Sequence, residues 1–304
     1  MDRLSAMALL VKVTELGSMS AAARALNMPL TTVSRHIAEL ESTLGVRLLL
    51  RTTRKLTLTD AGIDYVAAAR RILEEVENAE RRAAGEYQEP KGELVLSAPT
   101  MFGRQHVLPV VTDFLARYPQ IRVRLLLSDR NADLVGDHID LAVRIGTLPD
   151  SGMVATRLGE MRIVTCAHPA LLEKHGIPER PRELAALPII RIESPMPYRG
   201  WRFNAEEAED RLVALQPVLS LTTPESAADA ARLGAGVARL LHYQAIDGLA
   251  RGELKLLLQA MEPEPAPVHL LYTSRDLAPL KLRKFIDFAA PALRRALLRI
   301  AAAV

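Results

Sequence analysis

The feature that most constrains the fold is a change of pattern near residue 90. Before it, apolar residues recur every three or four positions, which is the period of an amphipathic helix. After it, short runs rich in Val, Ile and Leu alternate with helical stretches, which predicts α/β layers with mainly parallel sheets. The segment "GEYQEPKGE" at 85–93 separates the two patterns and is predicted to be a linker.

The longest helical run covers residues 60–84 and is too polar to be buried on all sides. At 1.5 Å per residue such a helix extends ~35–40 Å, and its apolar positions repeat near coiled-coil spacing. We therefore expect it to pair with a copy of itself, so that the protein is a homo-oligomer. The residues expected at that contact are Val66, Ala69, Leu73 and Val76.

Positive charge is concentrated at the start of the chain, although the whole chain carries only +3. Residues 1–58 hold eight Lys/Arg and four Asp/Glu, whereas residues 59–90 hold four Arg and eight Asp/Glu. A basic head beside an acidic segment favours a polyanionic partner. A solvated charged surface explains the charges equally well, so charge alone does not establish a polyanionic partner. The choice depends on the sequence motifs.

The cysteine and histidine content bounds the class of protein. One cysteine, Cys166, allows no internal disulfide, which suits a reducing cytosol. No apolar run approaches the ~20 residues that a membrane span needs. The seven histidines show no metal-ligand spacing. We expect a cytoplasmic protein with no membrane association, no metal and no cofactor.

Three helices are predicted before residue 45, over 2–16, 20–27 and 31–44. The first is expected to turn one apolar face inward, formed by Met7, Leu10, Val11 and Thr14. The second and third are separated by a turn that contains Asn27 and Pro29, since a residue before proline leaves the helical region. A short helix, a tight turn and a second helix with a polar outer face predict a helix-turn-helix.

The third predicted helix has an apolar stripe of Val33, Ile37, Leu40 and Leu44 that is expected to face inward, with His36 at its edge. Ser34 and His36 are two residues apart, so they point in different directions and are not a nucleophile and its base. The residues expected to read bases from the polar side are Thr31, Thr32 and Arg35.

The segment 46–59 is predicted to be a small hairpin around a basic turn at 51–55, which would form a wing beside the helix. Cations and hydroxyls in such a turn neutralise and bind phosphates. The residues expected at the phosphates are Ser34, Arg51, Thr52, Arg54 and Lys55.

The N-terminal segment resembles the winged helix-turn-helix of LysR-type transcriptional regulators. The family pattern includes an Ala pair followed by "SR..I..LE..LG..L..R..R...LT.AG". The matching positions are Gly17, Ser18, Ala22, Ala23, Leu26, Ser34, Arg35, Ile37, Leu40, Glu41, Leu44, Gly45, Leu48, Arg51, Arg54, Leu58, Thr59, Ala61 and Gly62. The chain departs from the pattern at Met19, where Phe is usual, and at Pro29 and Leu30, where a turn with a base-reading glutamine is common.

The resemblance covers essentially the whole chain and implies an α/β protein with an all-α-type head. A winged helix-turn-helix would occupy 1–59, and a linker helix for dimerisation, with a hinge, 60–89. An effector domain like a type 2 periplasmic binding protein would occupy 90–304. Subdomain I would cover about 90–163 and 268–304, and subdomain II about 164–267. The crossover strands between them are expected around Arg162–Cys166 and Val268–Tyr272.

A small-molecule effector is expected in the cleft between the subdomains. In open α/β sheets, ligands bind beyond the carboxyl ends of strands and at helix N-termini. An arginine at such an edge favours an anionic ligand, whereas strand-end Ser and Thr side chains are often only helix caps. The expected cleft residues are Thr100, Met101, Ser128, Arg144, Ile145, Gly146, Trp201, Phe203, Thr222 and Thr223.

The resemblance implies a sequence-specific transcriptional regulator and not an enzyme. It would bind an interrupted inverted repeat in double-stranded DNA as a dimer or a dimer of dimers, and its control would act through DNA bending or RNA polymerase. Two alternatives stay open: a small-molecule-binding protein without specific DNA binding, and an enzyme that uses Cys166 in the α/β part. The "GAGVAR" segment at 234–239 is a broken GxGxxG and does not predict a dinucleotide site.

Overall fold

A computed structural model describes residues 2–51, 56–83, 89–130, 134, 136–148, 152–193, 200–272 and 278–303. The chain forms two compact units, Met1–Gln88 and Glu89–Val304. No single helix in the described ranges is both long and apolar enough to cross a membrane. One pair of helices bent by 118°, Arg3–Glu15 with Met19–Ala25, meets the length and composition criteria together.

In its described residues, the N-terminal unit consists of four helices and a two-stranded hairpin. The elements are α1 (Arg3–Glu15), α2 (Met19–Ala25), α3 (Leu30–Leu44), the antiparallel strands β1 (Leu49–Arg51) and β2 (Leu56–Leu58), and α4 (Asp60–Ala83). Ser18 caps α2 by accepting a hydrogen bond from the Ala21 N–H at 3.3 Å. Asn27, with a φ of 52°, makes the turn into α3, and Gly45, with a φ of 69°, ends α3.

The core of this unit is formed by one face of each helix. In α3 the predicted stripe is confirmed at Val33, Ile37 and Leu40, which are buried. It is wrong at Leu44, which is 40% exposed because it is the last residue of the helix, before Gly45. In α1 the inward face differs from the predicted one. Leu10 is buried as expected, but the other buried positions are Ala6, Leu9 and Val13, whereas Met7, Val11 and Thr14 are only partly buried.

Helix α4 belongs to the same core through its first half. Val66 is in the buried cluster with residues of α1 and α3, and Ala69 is fully buried within the chain. The expectation that these two residues contact a second copy is therefore wrong, because their surface is already covered by the head. Leu73 and Val76, further along α4, are partly buried.

The C-terminal unit contains two five-stranded sheets. Their strands are β3 (Gly92–Ala98), β4 (Ile121–Leu127), β5 (Leu141–Ile145), β6 (Val154–Met161), β7 (Ile163–Ala167), β8 (Ile189–Ile192), β11 (Pro217–Leu221), β12 (Val237–Leu241), β13 (Lys255–Leu257) and β14 (Ala266–Tyr272). Sheet I has the strand order β4-β3-β5-β14-β6, and sheet II has the order β11-β8-β12-β7-β13. A separate antiparallel pair is formed by β9 (Trp201–Arg202) and β10 (Leu212–Val213).

Helices connect and cover these strands. They are α5 (Thr100–Phe102), a π-helical turn (Gly103–Val107), α6 (Leu108–Arg117), α7 (Pro169–His175), a 3-10 helix (Pro181–Ala186), α8 (Ala208–Arg211), α9 (Pro224–Arg232), α10 (His242–Ala250), a 3-10 helix (Gln259–Met261) and α11 (Leu280–Ala302). The largest buried cluster joins sheet I to α6 and α11, with Phe102, Phe114 and Phe285 fully buried.

Both sheets are mixed, so the expectation of mainly parallel sheets is wrong. Strands β3, β4 and β5 are parallel neighbours, but β14 pairs antiparallel with β5 and β6. In sheet II, β8 is parallel to β11 and β12, whereas β7 is antiparallel to β12 and β13. The reason is that the chain crosses between the sheets twice, and β7 and β14 enter each sheet in the opposite direction.

The two crossovers lie side by side. The first is at Arg162, between the end of β6 and the start of β7. The second precedes β14 at 262–265. Of the two expected crossover segments, Arg162 lies at a crossing, whereas Ile163–Cys166 and Val268–Tyr272 are paired inside sheets II and I and follow the crossings. The Arg162 guanidinium donates two hydrogen bonds to the Glu262 carboxylate, at 2.9 and 2.8 Å, and ties the crossovers together. This pairing raises the pKa of Arg162.

Candidate nucleic-acid interface and ligand cleft

Helix α3 presents a polar face on the side opposite its buried stripe. The Arg35 side chain is 66% exposed, and its guanidinium lies 3.7 Å from the Glu39 carboxylate. Thr31 is exposed and Thr32 is partly buried. His36 lies at the edge of the stripe, where Nδ1 is 3.1 Å from Glu39 Oε2. The hydrogen bond with His36, followed by its charge and that of Arg35, lowers the pKa of Glu39.

The start of α3 carries no side-chain cap. The residue before the helix is Pro29, whose carbonyl accepts hydrogen bonds from the N–H groups of Thr32 and Val33. The first N–H groups of a helix have no partner inside the helix, and they make this end attractive to anions. Ser34 is partly buried beside the stripe.

The hairpin is fastened to α3 by Glu41, a role that sequence analysis missed. Glu41 Oε1 accepts hydrogen bonds from the N–H groups of Leu48 and Leu49, at 2.8 and 3.0 Å. This carboxylate therefore holds the start of β1 against the end of α3. The sequence does single out Glu41, because it is the glutamate of the "LE..LG" part of the LysR-type pattern. Of the expected phosphate contacts, Thr52, Arg54, Lys55 and the Arg51 side chain lie outside the described residues.

A close backbone approach fixes the entry into α4. A Cβ atom added at Gly62 would lie 2.1 Å from the Leu48 carbonyl oxygen. Thr59 strengthens the same junction, because its Oγ1 accepts from the Gly62 N–H at 3.0 Å and donates to the Arg47 carbonyl at 2.7 Å. The "LT.AG" positions therefore join the hairpin to α4.

In the C-terminal unit, several expected cleft residues share one edge of sheet I. Strands β4, β3 and β5 are parallel neighbours, so their carboxyl ends meet at the same edge. Thr100 begins α5 after β3, and its N–H donates to Asp129 Oδ1 at 3.1 Å. Ser128 follows β4, and its Oγ accepts from the Arg130 N–H at 3.2 Å. Met101, the next residue of α5, is partly buried.

The end of β5 brings three more expected residues to this edge. Arg144 and Ile145 pair with residues of β14, and the Gly146 N–H donates to the Pro267 carbonyl at 2.9 Å. Gly146 has a φ of 119°, which favours glycine at the strand end. Partial burial lowers the pKa of Arg144.

The second subdomain approaches this edge through the start of α9. Thr223 is the N-cap, since its Oγ1 accepts from the Ser226 N–H at 3.2 Å, and Thr222 beside it is exposed. In the first turn of α9, Glu225 accepts a hydrogen bond from Arg104 of the π-helical turn at 2.5 Å. This ion pair joins the two subdomains one helical turn from Thr100.

Trp201 and Phe203 are not brought to this edge. They are 7% and 4% exposed and belong to the buried cluster on one face of sheet II. The Arg239 guanidinium lies 4.9 Å from the Trp201 ring centroid and 4.2 Å from that of Phe203. Because the two rings are enclosed by the core and by this cation, the expectation that they line the cleft is wrong for this structure.

A ring cluster where the subdomains meet was not predicted. The Phe102 ring is 4.9 Å from the His106 ring and 5.4 Å from the Tyr243 ring, measured between centroids. Burial raises the pKa of Tyr243 to about 12, although Gln244 donates a hydrogen bond to its hydroxyl at 3.1 Å. Burial, and then the charge of Arg299, lowers the pKa of His106. Phe102 and His106 are four residues apart, but Tyr243 is distant from both in sequence, so no local pattern predicts the cluster.

The arrangement around Cys166 does not suit nucleophilic catalysis. Cys166 is fully buried in the core of sheet II, and burial raises the pKa of its thiol to about 12. His168 caps α7, with Nδ1 accepting from the Ala170 N–H at 3.1 Å. A thiol that stays protonated and covered is a poor nucleophile.

Comparison with known proteins assigns both parts of the chain. A family described as "Bacterial regulatory helix-turn-helix protein, lysR family" matches residues 4–63. A second, "LysR substrate binding domain", matches residues 87–294.

Relatives match over nearly the full length. The HTH-type transcriptional activator AaeR of Escherichia coli (strain K12) is 33% identical over 287 residues, covering 94% of this chain and 93% of that protein. The HTH-type transcriptional regulator CrgA of Neisseria meningitidis serogroup C (strain 8013) is 34% identical over 279 residues, covering 91% and 93%.

Solved structures agree. CrgA, a LysR-type transcriptional regulator from Neisseria meningitidis, aligns with a TM-score of 0.61 at 32% identity, covering 95% of this chain and 98% of that one. Full-length AphB, a virulence activator of Vibrio cholerae, aligns with a TM-score of 0.60 at 26% identity, covering 95% and 99%. The chain therefore belongs to the LysR family of transcriptional regulators, whose N-terminal domain binds DNA and whose C-terminal domain binds a small-molecule effector.

Proposed function

We propose that this regulator reads an interrupted inverted repeat in double-stranded DNA through α3 and is controlled by an effector in the cleft of its C-terminal unit. The DNA-reading part of this proposal is supported by the division of α3 into a buried apolar stripe, Val33, Ile37 and Leu40, and an outward polar face. A helix held down in this way can enter the major groove without giving up core contacts.

In this proposal, Thr31, Thr32 and Arg35 contact base edges. Arg35 suits guanine, because a guanidinium donates two hydrogen bonds to O6 and N7. Its present partner Glu39 is exposed, so replacing that ion pair by a base costs little. Ser34 and the wing residues Arg51, Thr52, Arg54 and Lys55 contact phosphates and position the helix.

A dimer would present two copies of α3 to the two half-sites. Leu73 and Val76 continue the apolar face of α4 beyond the part that is covered by the head, and Ile72 beside them is 42% exposed. This surface supports pairing of α4 with a second α4, in a dimer or a dimer of dimers. The protein would act in the cytoplasm.

The effector site would lie where the ends of β3, β4 and β5 face the start of α9. The residues proposed to line it are Thr100, Met101, Ser128, Arg144, Ile145, Gly146, Thr222 and Thr223. Arg144 supports an anionic ligand, which also suits the helix N-termini of α5 and α9. An effector that changes the affinity for DNA must have its own affinity changed equally by DNA. Contact with RNA polymerase is one way in which such a change would reach transcription.

A gel-shift experiment with the full-length protein tests the DNA part. The probe is the intergenic region beside the protein's own gene, titrated at several salt concentrations with an unrelated fragment of equal length as control. We expect a specific shift that weakens as salt rises, because cation–phosphate contacts release counterions. Equal binding to both fragments at every salt concentration would contradict the proposal.

A second candidate function is small-molecule binding without specific DNA recognition. It would be favoured if the intergenic fragment failed to shift while calorimetry detected binding of small anions to the same preparation. An enzyme that uses Cys166 is disfavoured by the burial of that thiol. A Cys166→Ser variant is expected to keep full regulation of a reporter in cells.

A further inference from the structure

The first residue of α3 is a large apolar side chain at the DNA-facing end of the helix. Leu30 is 47% exposed and follows Pro29, which leaves this end of the helix uncapped. It borders an open groove of about 620 Å³ whose other walls come from α2 and the turn, with Ser20, Arg24 and Asn27 among the lining residues. Apart from Leu30, the exposed residues of this groove are mainly polar.

The direction of the side chain follows from helix geometry. Cα–Cβ bonds in a helix tilt toward its N-terminus, so a side chain at the first position reaches beyond the helix end. In a helix-turn-helix, the residues at this end of the second helix meet base edges in the major groove. Leu30 lies between the proposed base reader Thr31 and the groove beside α2, where Arg24 is exposed.

A leucine can recognise only one feature of the major groove. It has no hydrogen-bond donor or acceptor, and the single apolar group that a base pair presents there is the C5-methyl of thymine. A polar base edge in the same place would lose its water without gaining a partner. We propose that Leu30 is a specificity-determining residue that selects thymine through its methyl group. This inference rests on the proposed entry of α3 into the major groove.

The test isolates the methyl group. Operator sequences are first selected from random duplex DNA with the full-length protein. Each thymine of the selected site is then replaced in turn by deoxyuridine, which keeps the base pair and removes only the C5-methyl. Affinities are measured for the wild type and for Leu30→Ala. Leu26→Ala is the matched control, because Leu26 is also exposed, at 40%, and lies at the end of α2.

We expect one thymine in each half-site at which deoxyuridine weakens wild-type binding by ~3- to 10-fold, the effect of leaving about one methyl group without its contact. Leu30→Ala should bind both forms of that site equally, whereas Leu26→Ala should keep the wild-type preference. Unchanged circular dichroism and thermal midpoint would establish that Leu30→Ala is folded, as its exposure leads us to expect.

Two results would overturn the inference. In one, the wild type is indifferent to every deoxyuridine substitution. In the other, Leu30→Ala keeps the full preference for thymine, which would assign the methyl contact to Thr31 or Thr32. If no sequence is enriched by the selection, the proposed DNA-reading function itself fails. If binding is sequence-specific but no loss of affinity on removing a thymine methyl depends on Leu30, only the Leu30 inference is refuted.

Discussion

At the scale of single residues, the buried side of α3 packs in the core, and the exposed side is the one proposed to contact DNA. Val33 and Ile37 are fully buried, while the Arg35 side chain is mostly exposed. A substitution on the buried side should therefore change stability, and one on the exposed side should change DNA recognition. Glu41 belongs to neither group, since its carboxylate holds the hairpin.

Replacing Arg35 by alanine should weaken specific binding by ~1–3 kcal/mol, and more at one base position than at the others, because the proposed bidentate contact to one base would be lost. The comparison is Arg54→Ala, which should weaken binding to all sequences and reduce the salt slope by about one. Affinities for an operator and its single-base variants measure both effects. Equal losses at all positions in both variants would refute this division of roles.

His106 should make stability depend on pH. Its pKa is lowered in the folded protein, chiefly by burial, and Nε2 is buried without a hydrogen-bond partner among the described residues. The unfolded chain binds a proton at this histidine near its ordinary pKa of 6.5, whereas the folded chain does not. The contribution to stability is therefore complete above pH 6.5 and is lost progressively as pH falls below it.

The thermal midpoint of His106→Gln, followed from pH 8 to pH 5, should fall less steeply at acid pH than that of the wild type. His175→Gln, at an exposed histidine in α7, should keep the wild-type slope. If the thermal midpoint changed with pH by the same slope in the wild type and both variants, protonation of His106 would not destabilise the folded protein.

At the scale of elements, the head depends on the junction between the hairpin and α4. Gly62 lies in the first turn of α4, where its backbone touches the carbonyl of Leu48. Alanine is normally the better helix former by ~1 kcal/mol, so a helix without this contact would gain from the change. At Gly62 the contact with the Leu48 carbonyl should outweigh this gain, so that the substitution lowers the stability of the protein.

Gly62→Ala should destabilise the protein by ~1–3 kcal/mol, because the added Cβ overlaps backbone atoms that cannot rotate away. Gly152→Ala is the control, since no atom of the described residues lies within 4 Å of a Cβ added there. Chemical denaturation of the full chain measures both. If Gly62→Ala were as stable as Gly152→Ala, α4 would be able to shift away from the hairpin without cost.

At the scale of the whole molecule, the proposed binding to an inverted repeat requires two copies of the chain, one α3 for each half-site. Leu73→Glu and Val76→Glu should each convert a dimer to a monomer at micromolar concentration, because a buried unpaired carboxylate opposes the contact. Sedimentation equilibrium measures the change. Arg71→Glu, two residues before Leu73 and so on the opposite side of α4, should remain a dimer. A dimer that survives both apolar substitutions would place the interface elsewhere.

The local parts of the fold could be predicted from the sequence because their signals are local. The period of Val33, Ile37, Leu40 and Leu44 predicts α3 over 31–44, and the helix is observed over Leu30–Leu44. The basic turn between two β-prone segments predicts the hairpin, and the pattern up to Gly62 indicates the family. Each of these signals lies within neighbouring residues.

What only the tertiary structure decided is which surfaces meet. The apolar face of α4 is the same whether it covers α1 or a second copy, and the fold assigns Val66 and Ala69 to the head. Trp201 and Phe203 suit a cleft or a core equally well by type, and packing against Arg239 assigns them to the core. The sequence by itself determined the elements and the family, because these depend on local order. The partners of each face depend on residues far along the chain, so only the folded molecule decides them.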